Sequence, residues 1–393
     1  MITKEALECF QRFRSPFYYY DMELLDKTLS EYNTQLSQYG WMAHYAVKAN
    51  CDSPILRLIC KAGLGADCVS GNEIKAAMKE GFDPRKIVFA GVGKTDAEIR
   101  FALEAGILCF NCESLQELSV IDSIASRLGK KARVALRINP NIDAHTNNYI
   151  STGRCIDKFG FTEKMLPRFF ELFPKLTNCE FVGLHFHIGS QITDMQAFRL
   201  LCEKACAEVR IFGERGFKVT DLNLGGGLGV DYDNPEAHGI PNFTKYFETI
   251  RSSLSLPEGV RVHLEPGRSI VAQSGYLVTR VLFIKDNGER KFVIVDAGMN
   301  NLIRPALYRA KHRIMNLSSY RDCQTYDVVG PVCETSDKFA TDAVLPECGR
   351  GDLLAICSAG AYGEVMEMKY NRRDFAKAYY SDRLNEYKSN IDE

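Results

Sequence analysis

Short apolar runs of strand length recur along the first two-thirds of the chain. Each is followed by a stretch whose apolar residues return every three or four positions. The runs are MAHYAVK (42–48), GADCVS (65–70), KIVFAG (86–91), ILCFNC (107–112), RVALRI (133–138), FVGLHFHIG (181–189), DLNLGGG (221–227) and RVHLEPG (261–267). Intervening segments such as EIKAAMKEGF and DAEIRFALEAG carry the helical period. Strand then helix, repeated eight times, predicts a closed parallel (β/α)8 TIM barrel rather than an open doubly wound sheet. Early strands follow one another at about twenty residues, which suits tight strand-helix units. The interval after the fifth run, NPNIDAHTNNYISTGRCIDKFG, is too polar for core and predicts a loop over the barrel's mouth.

Beyond residue 270 the pattern changes. YLVTRVLFIKDNGERKFVIVDAG reads as two strands joined at Asn287-Gly288, a strong hairpin signal. TYDVVGPV and DLLAICSAG add strands, and the early FYYYD (17–21) is β-prone and joins them. The sequence therefore predicts an α/β chain with a barrel over 23–270 and a mostly β domain built from 1–22 and 271–393. The polar end, FAKAYYSDRLNEYKSNIDE, reads as helical.

Composition narrows the function classes. Lys and Arg number 49 against 50 Asp and Glu, a formal net charge of -1 with no basic run, so there is no footprint for nucleic acid. No apolar run reaches membrane-spanning length. The first residues, MITKEALECFQRFR, mix in charges and lack a secretory core, which predicts a cytoplasmic protein. Fourteen cysteines are scattered, so reduced thiols are expected. Cys109 and Cys112 form a lone C-x-x-C and Cys202 and Cys206 lie a helical turn apart; neither meets a second pair, so no structural zinc is expected.

The chemistry gathers where barrel strands end. Lys48, in HYAVKAN, closes the first run. Read alone, it is a strand end reaching solvent; read as part of a barrel, it is an amine at the functional face, suited to covalent chemistry with a carbonyl. His187 and Ser190 close the sixth run, Gly225-Gly226-Gly227 the seventh, and Glu265, Gly267 and Arg268 the eighth. A glycine run lets several backbone N–H groups converge on one phosphate. A coenzyme bearing an aldehyde and a phosphate would use all these groups. Three other signals lead elsewhere. GVGKT (91–95) is half a Walker loop, but the full pattern needs glycine where Val88 stands, so it reads as an ordinary loop. GGGLGV (225–230) has the wrong spacing for a dinucleotide fingerprint. His185 and His187 share a strand face and could bind metal, yet no carboxylate-histidine cluster ends the other strands; the competing reading packs one inside and stacks the other on a ligand.

Seven segments in order, HYAVKAN, HFHIGSQI, LNLGGGLGVDY, EPGRSIV, DAGMNNLIRPALY, GPVCETSD and SAGAYGEVM, resemble the diaminopimelate decarboxylases. Those belong to the alanine racemase-like, fold type III pyridoxal phosphate enzymes, and the resemblance covers residues 15 to 375 or so. It implies that Lys48 forms the Schiff base with pyridoxal 5'-phosphate and that His187 stacks on the ring. Ser190, Gly227, Gly267, Arg268 and Tyr362 would surround the phosphate. Glu265 would pair with the pyridine nitrogen; a carboxylate there keeps the ring a strong electron sink. Racemases of the superfamily offer arginine instead, so Glu265 points to decarboxylation. Cys333 would return a proton to Cα from the neighbouring subunit, which implies a homodimer with shared active sites, the β-rich domain contributing to substrate site and interface. Arg268, Arg304, Tyr308, Glu334 and Tyr362 would bind a substrate whose far end carries both carboxylate and ammonium. Ornithine- or arginine-type decarboxylation on the same fold is the alternative. After AYG, Glu367, Met368 and Lys369 stand where the family has small neutral residues.

Overall fold

A computed structural model describes residues 2–142 and 157–389. Most of the polar interval read as a mouth loop, residues 143–156, lies outside them. The chain divides into two compact units, one of Leu29–Gly229 and Asn242–Gly267, the other of Met1–Thr28, Val230–Pro241 and Arg268–Glu393.

Strand β1 (Phe17–Tyr20) belongs to the second unit. The first unit is a closed parallel barrel of β2 (Met42–Ala46), β3 (Gly65–Cys68), β4 (Ile87–Phe89), β5 (Cys109–Cys112), β6 (Ala132–Arg137), β7 (Cys179–His185), β8 (Asp221–Asn223) and β9 (Arg261–Leu264). Each strand pairs with the next and β9 closes on β2, with Met42 opposite His263. The eight apolar runs are these eight staves. Their residues are buried almost without interruption, as a sheet covered by helices requires.

Helix starts are written in the sequence. Ser70 and Ser114 cap the helices Gly71–Lys79 and Leu115–Leu128 by accepting from the N–H groups of Glu73 and Glu117. In GVGKT, Thr95 forms a capping box with Glu98 at the head of Asp96–Ala105. Lys94 beside it is buried and donates to the carbonyls of Gly91 (2.8 Å) and Asn111 (2.9 Å) and to Glu117 Oε1 (2.6 Å). The motif is a helix start with a lysine tie. At the barrel's interior a polar chain satisfies itself: His44 Nε2 meets His263 Nδ1 at 2.9 Å, and His263 Nε2 meets Asp221 Oδ1 at 2.9 Å.

The second unit is a β-sheet assembly of β10 (Gly275–Asp286), β11 (Lys291–Val295), β12 (Ile314–Asn316), β13 (Cys323–Val329), β14 (Lys338–Pro346), β15 (Leu353–Ile356) and β16 (Lys377–Tyr380), in the order β12-β15-β10-β11-β13-β14. The β10–β11 hairpin turns through Asn287 and Gly288, the glycine at φ 87°. β1 pairs with β10, placing FYYYD in this sheet as its composition predicted.

The segment 230–241 groups with this unit, the backbone N–H of Arg313 donating to the Tyr232 carbonyl (3.1 Å). One expectation needs correction. The polar tail is not simply helical. Lys377–Tyr380 runs parallel to β1, and the Tyr379 ring stacks on Phe13 at 3.8 Å; only Leu384–Ser389 is α-helix. Two aromatic β-formers with a strand edge to join outweigh the charges around them.

Candidate active site

In the barrel, β2 ends in a single 3-10 turn, Val47–Ala49, that carries Lys48. Its Nζ lies 3.1 Å from Asp67 Oδ2 on β3, because Ala46 and Asp67 are register partners. The lysine side chain is 38% exposed and the aspartate 1%. Asp67 Oδ1 is buried with no hydrogen-bond partner among the described residues. Burial, and then the charge of Glu265, raise the Asp67 carboxyl against the pull of Lys48.

Glu265 follows β9 directly and is buried. Its Oε1 accepts from Asn223 Nδ2 (2.7 Å) and Asn111 Nδ2 (3.4 Å), and its Oε2 from His185 Nε2 (3.0 Å). Burial alone would raise this carboxyl. The His185 ring, then Lys48, hold it below the ordinary carboxylate range instead, so Glu265 is an anion. Thus His185 packs inside and supports Glu265. His187, two residues on, accepts at Nδ1 from the Gly226 N–H (3.3 Å). Burial, followed by the charges of Arg137 and Lys48, pushes its imidazole well below the usual histidine range, leaving it neutral. Arg137 is matched by Glu113 at 2.8 Å.

Gly225, Gly226 and Gly227 pass so close to neighbouring backbone that side chains are excluded. A Cβ on the first two would collide with the carbonyls of Phe186 and Glu265, and on Gly227 it would lie 2.7 Å from the Gly189 oxygen. Ser190 follows Gly189 here, and Gly267 lies buried past β9. The barrel therefore offers an amine, a buried anion, a neutral aromatic ring and a backbone cradle. That set fits pyridoxal phosphate, which presents an aldehyde, a basic ring nitrogen and a phosphate. Among the described residues no group of three His, Cys, Asp or Glu side chains is arranged to hold a metal.

The β-rich unit gathers the other predicted residues. Arg268 Nη1 donates to the Tyr232 hydroxyl (2.7 Å), and its guanidinium lies 4.8 Å from the Tyr362 ring centroid. Arg304 opens the short helix Arg304–Tyr308, is 4% exposed, and sits 5.2 Å from the other side of the cluster, the Tyr232 ring. Burial, with the like charge of Arg268 added, lowers its pKa. No carboxylate among the described residues pairs with Arg304. Tyr308, half-buried, ends the same helix. Tyr362 holds φ at 55°, a strained value that sets its ring direction.

Cys333 and Glu334 are exposed on the β13–β14 connection. Asp337 shapes that loop from beneath, accepting from the N–H groups of Met299 and Val332, both at 2.6 Å. From the other side Asn371 Oδ1 accepts from the Cys333 N–H (3.3 Å), and the Tyr370 hydroxyl donates to Glu334 (2.5 Å). The unusual Glu367 is a local tie: its Oε1 accepts from Asn301 Nδ2 (2.8 Å) and the Ala376 N–H (3.2 Å).

Sequence reasoning missed Asp67, Asn111, Asn223, Tyr232 and His312. One signal was available: an aspartate inside the apolar run GADC is buried, and a buried carboxylate implies a partner.

The family model for the pyridoxal binding domain of pyridoxal-dependent decarboxylases matches residues 23–272. The chain is 47% identical over 379 residues to the diaminopimelate decarboxylase of Bacteroides thetaiotaomicron, covering 96% of this chain and 98% of that one. Its fold is similar to the Helicobacter pylori diaminopimelate decarboxylase crystallised with L-lysine, at TM-score 0.89 and 42% identity over 95% of this chain and 93% of the other. The M. jannaschii diaminopimelate decarboxylase in co-complex with L-lysine gives TM-score 0.89 at 35% identity over 96% and 90%.

Proposed function

This chain belongs to the pyridoxal-dependent decarboxylases, and from that premise we propose that it converts meso-2,6-diaminopimelate to L-lysine and CO2, the last step of lysine biosynthesis. The observation that carries the substrate choice is Arg304. A buried guanidinium without its own carboxylate among the described residues is a place kept for an incoming anion. Diaminopimelate has a second carboxylate to supply; ornithine and arginine end in bare cations.

Pyridoxal phosphate, when bound, supplies an aldehyde for the substrate amine and a ring that takes up the electron pair left by departing CO2. The chain's residues do the rest. Lys48 would hold the coenzyme covalently, with Asp67 beside its nitrogen to hold or receive a proton. Glu265, kept anionic by its donors, would keep the ring nitrogen protonated. His187, neutral, would stack on the ring without adding a competing charge. Ser190, Gly227, Gly267, the backbone at Arg268 and Tyr362 would hold the phosphate. Arg268, Arg304 and Tyr308 would bind the far carboxylate and Glu334 the far ammonium. Cys333 would return the proton to Cα.

Cys333 and Glu334, in this reading, serve the site of a second copy, so the enzyme works as a homodimer, in the cytoplasm. Mixing inactive Lys48→Ala and Cys333→Ala proteins tests that: random exchange gives half heterodimers with one intact site of two, and about one quarter of wild-type activity returns. No recovery would place both residues in one chain's site. The substrate is tested by CO2 release from meso-diaminopimelate, ornithine and arginine. Ornithine turnover equal to that of diaminopimelate would overturn the proposal.

A further inference from the structure

His312 is named by none of the motifs, yet it is the residue on which Arg304 rests. The helix Arg304–Tyr308 ends at Arg309, whose φ of 54° and ψ of 31° are left-handed. That turn brings the chain back so that His312, eight residues on, meets the arginine. Flanking bonds fix the return: the Arg313 N–H donates to the Tyr232 carbonyl (3.1 Å), and the Cys357 N–H to the Arg313 carbonyl (2.8 Å).

Hydrogen-bond roles follow from the partners. His312 Nδ1 is 2.8 Å from the Cys357 carbonyl oxygen, which can only accept, so Nδ1 carries the proton. Nε2 is then a lone pair, and Arg304 Nε–H donates to it at 3.2 Å. The Tyr232 ring meets His312 edge-on, 4.9 Å between centroids, completing a buried seat. An imidazole in this state orients a guanidinium without neutralising it. A carboxylate in the same place would cancel the charge that the substrate needs. Engaging Nε also leaves the Nη1–Nη2 edge for a two-pronged carboxylate bond.

We propose that His312 is a positioning residue for substrate recognition: as a neutral acceptor it aims Arg304 at the far carboxylate, the one retained in the product. This rests on the assignment of Arg304 to that carboxylate. Two variants separate orientation from mere packing. His312→Asn keeps an N–H within reach of Cys357 but is too short to accept from Arg304. His312→Gln places a carbonyl oxygen near the former Nε2 and gives up the Cys357 bond.

The test is calorimetric titration of each holoenzyme with L-lysine and with cadaverine, which differs by lacking the carboxylate. Wild type should favour L-lysine. H312N should lose roughly tenfold in L-lysine affinity and less than twofold in cadaverine affinity, while H312Q stays within about threefold of wild type for both. An H312N affinity for L-lysine within twofold of wild type, or an equal loss in H312Q, would overturn the role of His312. If H312N does not fold, H312Q decides alone, since a tenfold loss of L-lysine affinity there overturns the proposal. A wild type indifferent to the carboxylate would instead remove Arg304 from the clamp, and His312 with it.

Discussion

The barrel and the β-rich unit both bury charge, and they treat it in opposite ways. In the barrel the buried charges are matched or held by donors: Arg137 meets Glu113, Lys94 meets Glu117, Asp67 meets the part-exposed Lys48, and Glu265 accepts from His185 and two asparagines. In the β-rich unit Arg304 rests on a neutral imidazole and a tyrosine ring, with burial, and then the like charge of Arg268, depressing its pKa. A balanced set suits a coenzyme that stays. An unbalanced cation suits a substrate anion that arrives and, in its product form, departs. Stability and function should therefore be linked in the barrel and opposed in the β-rich unit.

The largest effect expected is at Lys48. Lys48→Ala removes the amine and strands Asp67, already raised by burial and Glu265. Turnover should fall by roughly 10⁴-fold or more, and the visible absorbance of the bound coenzyme should be lost. Borohydride reduction of the wild type followed by peptide mapping should mark Lys48; a label elsewhere would break the barrel half of the comparison. Glu265→Gln comes next. It keeps the shape, removes the charge, and sets an amide N–H against the donors of Asn223 or His185. We expect kcat lower by about 10²- to 10³-fold and a stability loss of about 2 kcal/mol, read as a urea midpoint. An unchanged midpoint would show that the anion is not part of what holds the barrel.

Arg304→Met sharpens the contrast. It keeps bulk against Tyr232 and removes a charge that burial and Arg268 both disfavour. kcat/KM for diaminopimelate should fall about 10²-fold, chiefly through KM, while the urea midpoint stays at or above wild type. A variant that loses stability in step with affinity would show Arg304 to be a structural residue, and the two regions would no longer differ in kind.

Much of the fold was legible because it is written locally. Eight apolar runs with helical intervals need a barrel, and Asn287-Gly288 needs a turn, whatever surrounds them. Lys48, His187 and Glu265 were legible because a barrel strand's end is a position in sequence as well as in space. Their supports were not. Asp67 reads as a strand residue until β3 lies beside β2. Asn111 and Asn223, on β5 and β8, converge on Glu265 only once the barrel closes. His312 is eight positions from Arg304, a distance with no meaning on a helix that continues; the left-handed Arg309 gives it one. Nothing in GVDY marks Tyr232 as a partner of Arg268, 36 positions on. The tail misled for the same reason, since KAYY finds its partner some 360 residues away in β1.

Counted per residue, the smallest effect expected is on stability in mild acid, where the two regions behave alike. Burial, then the neighbouring His263, hold His44 down to about 4; burial, then Arg304, hold His312 down to about 3. An unfolded histidine takes a proton near pH 6.5. Below that value the unfolded chain binds protons that the fold refuses, so stability rises with pH through the window and is fully present only above it. At pH 5 each such imidazole should have removed about 2 kcal/mol. Urea midpoints should thus fall steadily from pH 7 to pH 5, and less steeply in H312Q, which deletes one of the titrating groups. A wild-type midpoint that is flat across this range would mean that the rings accept protons in place. His312 could not then be the neutral acceptor that leaves Arg304 its charge.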